Sequence, residues 1–214
     1  MIKAVIFDMD GVIVESERLH IEAEQQAMLK HGVRISAEEL HTYTGTTAMF
    51  MFTELIKKYK LDATFEKIFN EKEEILFKLL EKETRPTNGV IELLKKLRQK
   101  GVKLAVASSS HRRLIDYVLR KLDIGCLFDF VVSAEDVVHS KPNPQIFLKS
   151  AQALHVKPSE CLVVEDAKLG VEAAKRAGMR VIGYRNPDSG DQDLSEADMI
   201  VKDFSELVVE EIIV

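Results

Sequence analysis

Cysteine is scarce in this sequence, and the two residues present, Cys126 and Cys161, form no CxxC pair. That excludes a disulfide framework and a thiolate zinc site, and both residues read as small buried apolar side chains. An excess of positive charge is also missing. The net charge is -5 with the two signs nearly balanced, which argues against a nucleic-acid partner. No apolar run reaches bilayer length, so no membrane partner is expected. The opening MIKAVIFDMDG does not read as a signal peptide, because Asp8 and Asp10 break its short apolar run. No internal repeat and no low-complexity segment is present. A cytoplasmic, monomeric, reduced protein is the expectation. At 214 residues the chain suits one core domain with a smaller insertion, and 46% apolar content supplies the core.

What is present is a rhythm of short apolar runs. Ala4–Phe7 ends in acids, 103–107 precedes three serines, 130–132 follows a Phe-Asp turn, 161–164 precedes Glu165-Asp166, and 180–184 follows Gly178. Helical patterns at 89–100, 112–122, 144–154 and 168–177 alternate with them. Gly101 and Gly178 mark helix ends, and Asn143-Pro144 reads as an N-cap with proline in the first turn. Alternation of this kind predicts an α/β fold: a Rossmann-like parallel sheet core with helices on both faces. The rhythm breaks between about Ser16 and Arg85. Helical periodicity dominates there, at 19–29, 37–41, 48–59 and 65–80, and about 70 residues are too many for a simple crossover. We read residues 16–85 as an inserted all-α cap subdomain and residues 1–15 and 86–214 as the core. Hinges are expected near 14–17 and 84–88.

Sites in parallel α/β sheets form at the carboxyl ends of the strands. The residues just past the apolar runs are Asp8 and Asp10, Ser108, and Glu165 with Asp166, while Lys141 precedes the helix at 144. Several carboxylates meeting at one edge repel one another without a cation. Oxygen-only donors suit magnesium, and a lysine with a hydroxyl suits phosphoryl oxygens. No histidine–cysteine set offers zinc ligands. The DxDG run does not continue as a calcium loop.

Asp8-Met9-Asp10-Gly11-Val12, Ser108, Lys141 in Ser140-Lys141-Pro142-Asn143-Pro144, and Glu165-Asp166 resemble, in order, the four motifs of the haloacid dehalogenase-like phosphohydrolases. The helical insertion between the first two motifs is similar to the cap of that family's first subgroup. The resemblance implies a magnesium-dependent phosphatase in which Asp8 attacks phosphorus and Asp10 serves as acid and then base. It also implies that Ser108 and Lys141 hold phosphoryl oxygens, with Ser109 or Ser110 sharing that role. Asp8, Asp10 through its backbone carbonyl, Glu165 and Asp166 would hold Mg2+. The partner it implies is a small phosphorylated metabolite.

Substrate contacts are expected from Glu15, Ser16 and His20, and from Gly45 and Thr46 in the turn Thr44-Gly45-Thr46-Thr47-Ala48. The His20 context resembles the β-phosphoglucomutase-like branch. Those mutases carry an arginine for a distal phosphate where Ala48 stands, so its absence favours hydrolysis over mutase chemistry. The resemblance offers Lys72 as a substrate-contacting cap lysine, but within Glu71-Lys72-Glu73-Glu74 it reads first as part of a solvated charged face. Met49 to Phe52 read as cap core, and Arg112 and Arg113 as capping or solvated residues. A third reading, a non-enzymatic phosphoacceptor regulator, fits neither the insertion nor the second acid, Asp10.

Overall fold

β1 (Ala4–Phe7) is buried at all four residues, as an apolar run covered on both faces should be. Four helices follow it: α1 (Glu17–Lys30), α2 (Ala37–His41), α3 (Ala48–Tyr59) and α4 (Phe65–Lys82). The chain then alternates through α5 (Val90–Gln99), β2 (Lys103–Ala107), α6 (Arg112–Lys121), β3 (Phe130–Val132), α7 (Gln145–Ala153), β4 (Cys161–Glu165), α8 (Lys168–Arg176), β5 (Arg180–Tyr184), β6 (Met199–Val201) and α9 (Val209–Ile212). This computed structural model describes residues 1–43 and 46–214. Among the described residues no helix is long and apolar enough to cross a membrane.

The strands form one parallel sheet in the order β3-β2-β1-β4-β5-β6. β1 is the switch point: the chain winds outward from it in one direction and then in the other. Phe7 pairs with Val106 on one side and Val164 on the other, and the Asp8 amide donates to the Val164 carbonyl at 3.0 Å. That register delivers Asp8, Ser108 and Glu165 to one edge. Side chains of β1 alternate between the two layers. Val5 and Phe7 pack with α5 and α6, and Ala4 and Ile6 pack with α7 and α8. Helices on both faces are thus required by the sequence of β1 alone.

Helix boundaries agree with expectation to within a residue or two. Gly101 and Gly178 have φ of +74° and +73° just past α5 and α8. Pro144 itself takes the N-cap position of α7, and Asn143 Oδ1 accepts from the Gln145 amide at 3.0 Å, so the expected cap shifts by one residue. β6 was not anticipated, although Met199, Ile200 and Val201 are all apolar; the run is only three residues long, and two of the three are exposed. Cys161 is buried as expected, but Cys126 is exposed in a short 3-10 turn, which corrects that reading.

The helical insertion has its own packing. Leu19, Ala23 and Ala27 line one stripe of α1 and meet Ile68, Leu76 and Leu80 of α4, with Phe52 and Leu55 of α3 fully buried beside them. Ser36, Thr47 and Thr64 each accept a backbone N–H in the first turn of α2, α3 and α4. Two connecting segments run side by side. Val14 bridges Pro86, and the Glu15 amide donates to Arg85 O at 3.0 Å. The insertion leans on the core through α4: the Phe69 ring packs on His111 at 5.3 Å, and Phe77 meets Tyr117 at 5.6 Å under the Arg113 guanidinium.

Candidate active site

The loop after β1 is wound tightly around Met9, whose carbonyl accepts from the amides of Ile13 and Val14. Gly11 has φ +76°, and a Cβ placed there would lie 2.1 Å from Asp166 Oδ2. Only glycine allows the loop to approach the Asp166 carboxylate this closely.

Asp10 is gripped from both sides. Oδ1 accepts from Ser16 Oγ at 2.7 Å and from His20 Nε2 at 3.1 Å, while Oδ2 accepts from Ser110 Oγ at 2.7 Å and Ser108 Oγ at 3.4 Å. Burial pushes its pKa up, but the neighbouring His20 and hydrogen bonds from His20, Ser16 and Ser110 outweigh that and hold the carboxyl well below the usual range. Lys72 lies behind His20, with Nζ 3.1 Å from Nδ1 and 3.0 Å from Glu73 Oε1.

On the other side of the loop, the Lys141 ammonium pairs with Asp8 Oδ1 and, at 2.7 Å, with Glu165 Oε1. Burial works against the charged lysine, but Asp8 and Glu165 hold its pKa above the usual range. The Asp8 carboxyl is raised by burial, against the pull of Lys141, with Glu165, Asp166 and Asp10 adding repulsion. Asp166 is pushed up to about 7 by burial and by Glu165, although Ser189 at 2.5 Å and Asn186 at 3.1 Å donate to Oδ2. Glu165 Oε2 accepts the amides of Asp166 and Ala167 at 3.0 Å each. Gly170 makes room for this carboxylate: a Cβ there would lie 1.8 Å from Glu165 Oε1.

A cavity of about 500 Å3 opens between the sheet edge and the helical insertion. Asp8, Asp10, Ser108, Ser109, Lys141, Glu165 and Asp166 line its floor; His20, Thr46 and Lys72 line its far side. The expected core residues therefore meet in one place. The expected substrate residues meet only in part. Glu15 is exposed and does not line the cavity, because its backbone is tied to Arg85 and its side chain faces outward. Ser16 is buried and donates to Asp10 instead of facing the cavity. Gly45 lies outside the described residues. Lys72 is buried at 4% exposure, not on a solvated face. Arg112 pairs with Asp116, in keeping with its expected solvated role. Of the apolar stripe, Met51 and Phe52 are buried, while Met49 and Phe50 are exposed, with Met49 at the cavity rim. Sequence reasoning missed Ser189 and Asn186, which hold Asp166 from the loop after β5, and Glu17 and Glu24, which line the cavity from α1.

Among the described residues no three Asp, Glu, His or Cys side chains converge tightly as a metal cage. Asp10 turns its carboxylate toward Ser16 and His20, and Lys141 stands between Asp8 and Glu165. The donors nevertheless suit Mg2+: they are all oxygen, and magnesium usually keeps several waters and takes one or two protein carboxylates. Asp8 and Asp166, buried carboxyls with raised pKa, are the pair that a nearby cation would relieve.

Comparison with known proteins agrees with the geometry. The family described as haloacid dehalogenase-like hydrolase matches residues 5–184. The chain is 32% identical to hexitol phosphatase B of Escherichia coli strain K12, over 99% of this chain and 97% of that one. It is 35% identical to a phosphorylated carbohydrates phosphatase of Thermotoga maritima, over 84% and 83%. The crystal structure of β-phosphoglucomutase from Clostridium difficile superposes with a TM-score of 0.87 at 28% identity, covering 99% of this chain and 96% of that one. With an acid-rich sheet edge, a lysine bridging two of its carboxylates and these likenesses together, the chain belongs to the haloacid dehalogenase-like hydrolases.

Proposed function

We propose that this chain is a magnesium-dependent phosphatase of small sugar-like phosphate monoesters, working through an aspartyl-phosphate on Asp8. The observation that carries the reading is the placement of Asp8: at the switch point of the sheet, on the cavity floor, paired with the Lys141 ammonium. Substrate class comes from the relatives named for hexitol and carbohydrate phosphates. Asp8 attacks phosphorus; Lys141 and the Ser108 hydroxyl hold the equatorial oxygens, where charge spreads in the transition state. Magnesium, held by Asp8, Asp166 and the backbone carbonyl of Asp10 with Glu165 in support, would neutralise part of the phosphoryl charge. Asp10 is ionised as it stands, which suits it to take a proton from water in the second step. Substrate entry that draws Ser110 away would remove one of the hydrogen bonds that hold its pKa down, a shift in the direction the first-step general acid needs. Residues 16–85 act as a cap that closes over the substrate on the paired segments at Val14 and Pro86 and excludes water. A cytoplasmic location and a monomeric state belong to the same reading.

The test is phosphate release from a panel of phosphorylated sugars and polyols, with and without magnesium. Asp8→Asn should lower kcat by at least about a thousandfold, the scale of removing a nucleophile. Undiminished release by that variant would refute the assignment. A phosphomutase is the second reading, favoured by the His20–Lys72 pair beside Asp10 and by the mutase likeness. Conversion of a sugar 1-phosphate to the 6-phosphate, stimulated by a bisphosphate, would select it.

A further inference from the structure

α1 forms one wall of the cavity along two of its turns. Glu17, His20, Ile21 and Glu24 all face inward from it. Glu24 stands seven positions after Glu17, which returns the two to one stripe with a rise of about 10 Å. Glu17 lies at the reacting end, in the field of Asp166 and Asp10 and, beyond them, of Glu24 and Asp8. Glu24 lies in the field of Lys72, His20 and His41, at the far end. Among the described residues neither carboxylate makes a hydrogen bond or an ion pair.

Among the described residues no group lining the cavity bonds to either of them. Its lining includes no arginine among the described residues, and its two lysines are engaged: Lys141 by Asp8 and Glu165, Lys72 by Glu73 and His20. Ile21, Leu40, Met51, Phe65 and Phe69 make the rest of that wall apolar. A carboxylate in such surroundings is costly unless something donates to it. Burial accordingly raises the pKa of both Glu17 and Glu24. The missing donors have to arrive with the occupant.

We propose that Glu24 selects the leaving group: a phosphate monoester whose far end carries hydroxyl or ammonium donors and no second anion. The inference rests on the phosphatase reading, because that reading places the phosphoryl group at Asp8 and the rest of the molecule along α1. A distal phosphate would lie beside the Glu24 carboxylate where, among the described residues, Lys72 is already engaged by Glu73 and His20, a repulsive element against bisphosphates that the unpartnered His41 ring offsets only in part. A distal hydroxyl would donate to Glu24, and an ammonium would pair with it.

The test is calorimetric binding of a hexitol 6-phosphate, the matching hexitol 1,6-bisphosphate and an amino-hexitol 6-phosphate to the full chain carrying Asp8→Asn, with magnesium. The monophosphate should bind at least about tenfold more tightly than the bisphosphate. Adding Glu24→Gln should weaken the monophosphate about tenfold and narrow the gap, and Glu24→Arg should reverse the preference. Tighter binding of the amino compound that disappears in Glu24→Gln would identify ammonium as the favoured donor; equal binding of both monophosphates would identify hydroxyl. Thermal melting shows whether each variant is folded, and the ligand series on Asp8→Asn alone remains decisive if one is not. Equal or tighter binding of the bisphosphate there, or affinities unmoved by both folded Glu24 variants, would overturn the proposal. Binding needs no turnover, so this outcome is separate from the phosphatase reading. That reading is checked by release of p-nitrophenol from p-nitrophenyl phosphate by the unaltered chain.

Discussion

Without a divalent metal, Asp166 should become a liability that grows with pH. Its carboxyl is 4% exposed, and its pKa is pushed from the ordinary 3.8 to about 7, by burial first and by Glu165 second. Between those values the folded chain keeps a proton at Asp166 that the unfolded chain has lost. Folding stability therefore falls as pH rises through this window, since the folded state binds more protons than the unfolded one. At about 1.4 kcal/mol per pH unit, the loss is on the order of 4–5 kcal/mol across the window, roughly 3 of it between pH 5 and 7. Asp8, raised by burial, acts in the same direction. Asp10, held low, acts in the opposite sense, but its contribution is lost only as pH falls below 3.8. For a chain of this size the change corresponds to a fall in Tm on the order of 10 °C. Melting curves in chelator from pH 5 to 8 would display it, and Asp166→Asn should remove most of the slope. Magnesium binds the deprotonated carboxylates, so its stabilising increment should be larger at pH 8 than at pH 5. A metal-free Tm that is flat or rising across this range, or a magnesium increment independent of pH, would refute the reasoning.

Three further perturbations bear on separate parts of the molecule. Lys141→Met leaves Asp8 and Glu165 without their shared cation; urea unfolding in chelator should show a loss of about 3–5 kcal/mol, partly restored by magnesium. Gly170→Ala puts a methyl group where Glu165 Oε1 now stands, so the carboxylate must move; stability should drop by about 1–3 kcal/mol and phosphate release should fall with it. Phe52→Ala opens a cavity in the helical insertion and should cost about 3–5 kcal/mol, read as a lower urea midpoint with an unchanged slope if the chain unfolds as one unit.

Much of this molecule was legible in its sequence because local and global signals agree. β1, β2, β4 and β5 are dense apolar runs, and their polar successors are the site. α2 and α3 were read to the residue from helical periodicity, and the structure caps them with Ser36 and Thr47. β6 was not legible, since its pairing with β5 compensates for a weak local pattern. Lys72 was misread from its charged neighbours, although it lies four residues from both Ile68 and Leu76 and so on the buried stripe of α4. Glu17, His20 and Glu24 likewise share one face of α1, a spacing that was available to read. Ser189 and Asn186 carry no such signal. They reach Asp166 because β5 lies next to β4 in the sheet, and strand order is a property of the whole chain.

Asp8 is the proposed acceptor of the phosphoryl group. Mixing the chain with magnesium and a reactive phosphate monoester, quenching in acid and reducing with borohydride converts an acyl phosphate to the corresponding alcohol. Mass spectrometry of the peptide spanning residues 4–18 should then show homoserine at position 8, dependent on substrate and lost in Asp8→Asn. Phosphate release at full rate with position 8 unmodified, or homoserine at another acid, would contradict the account.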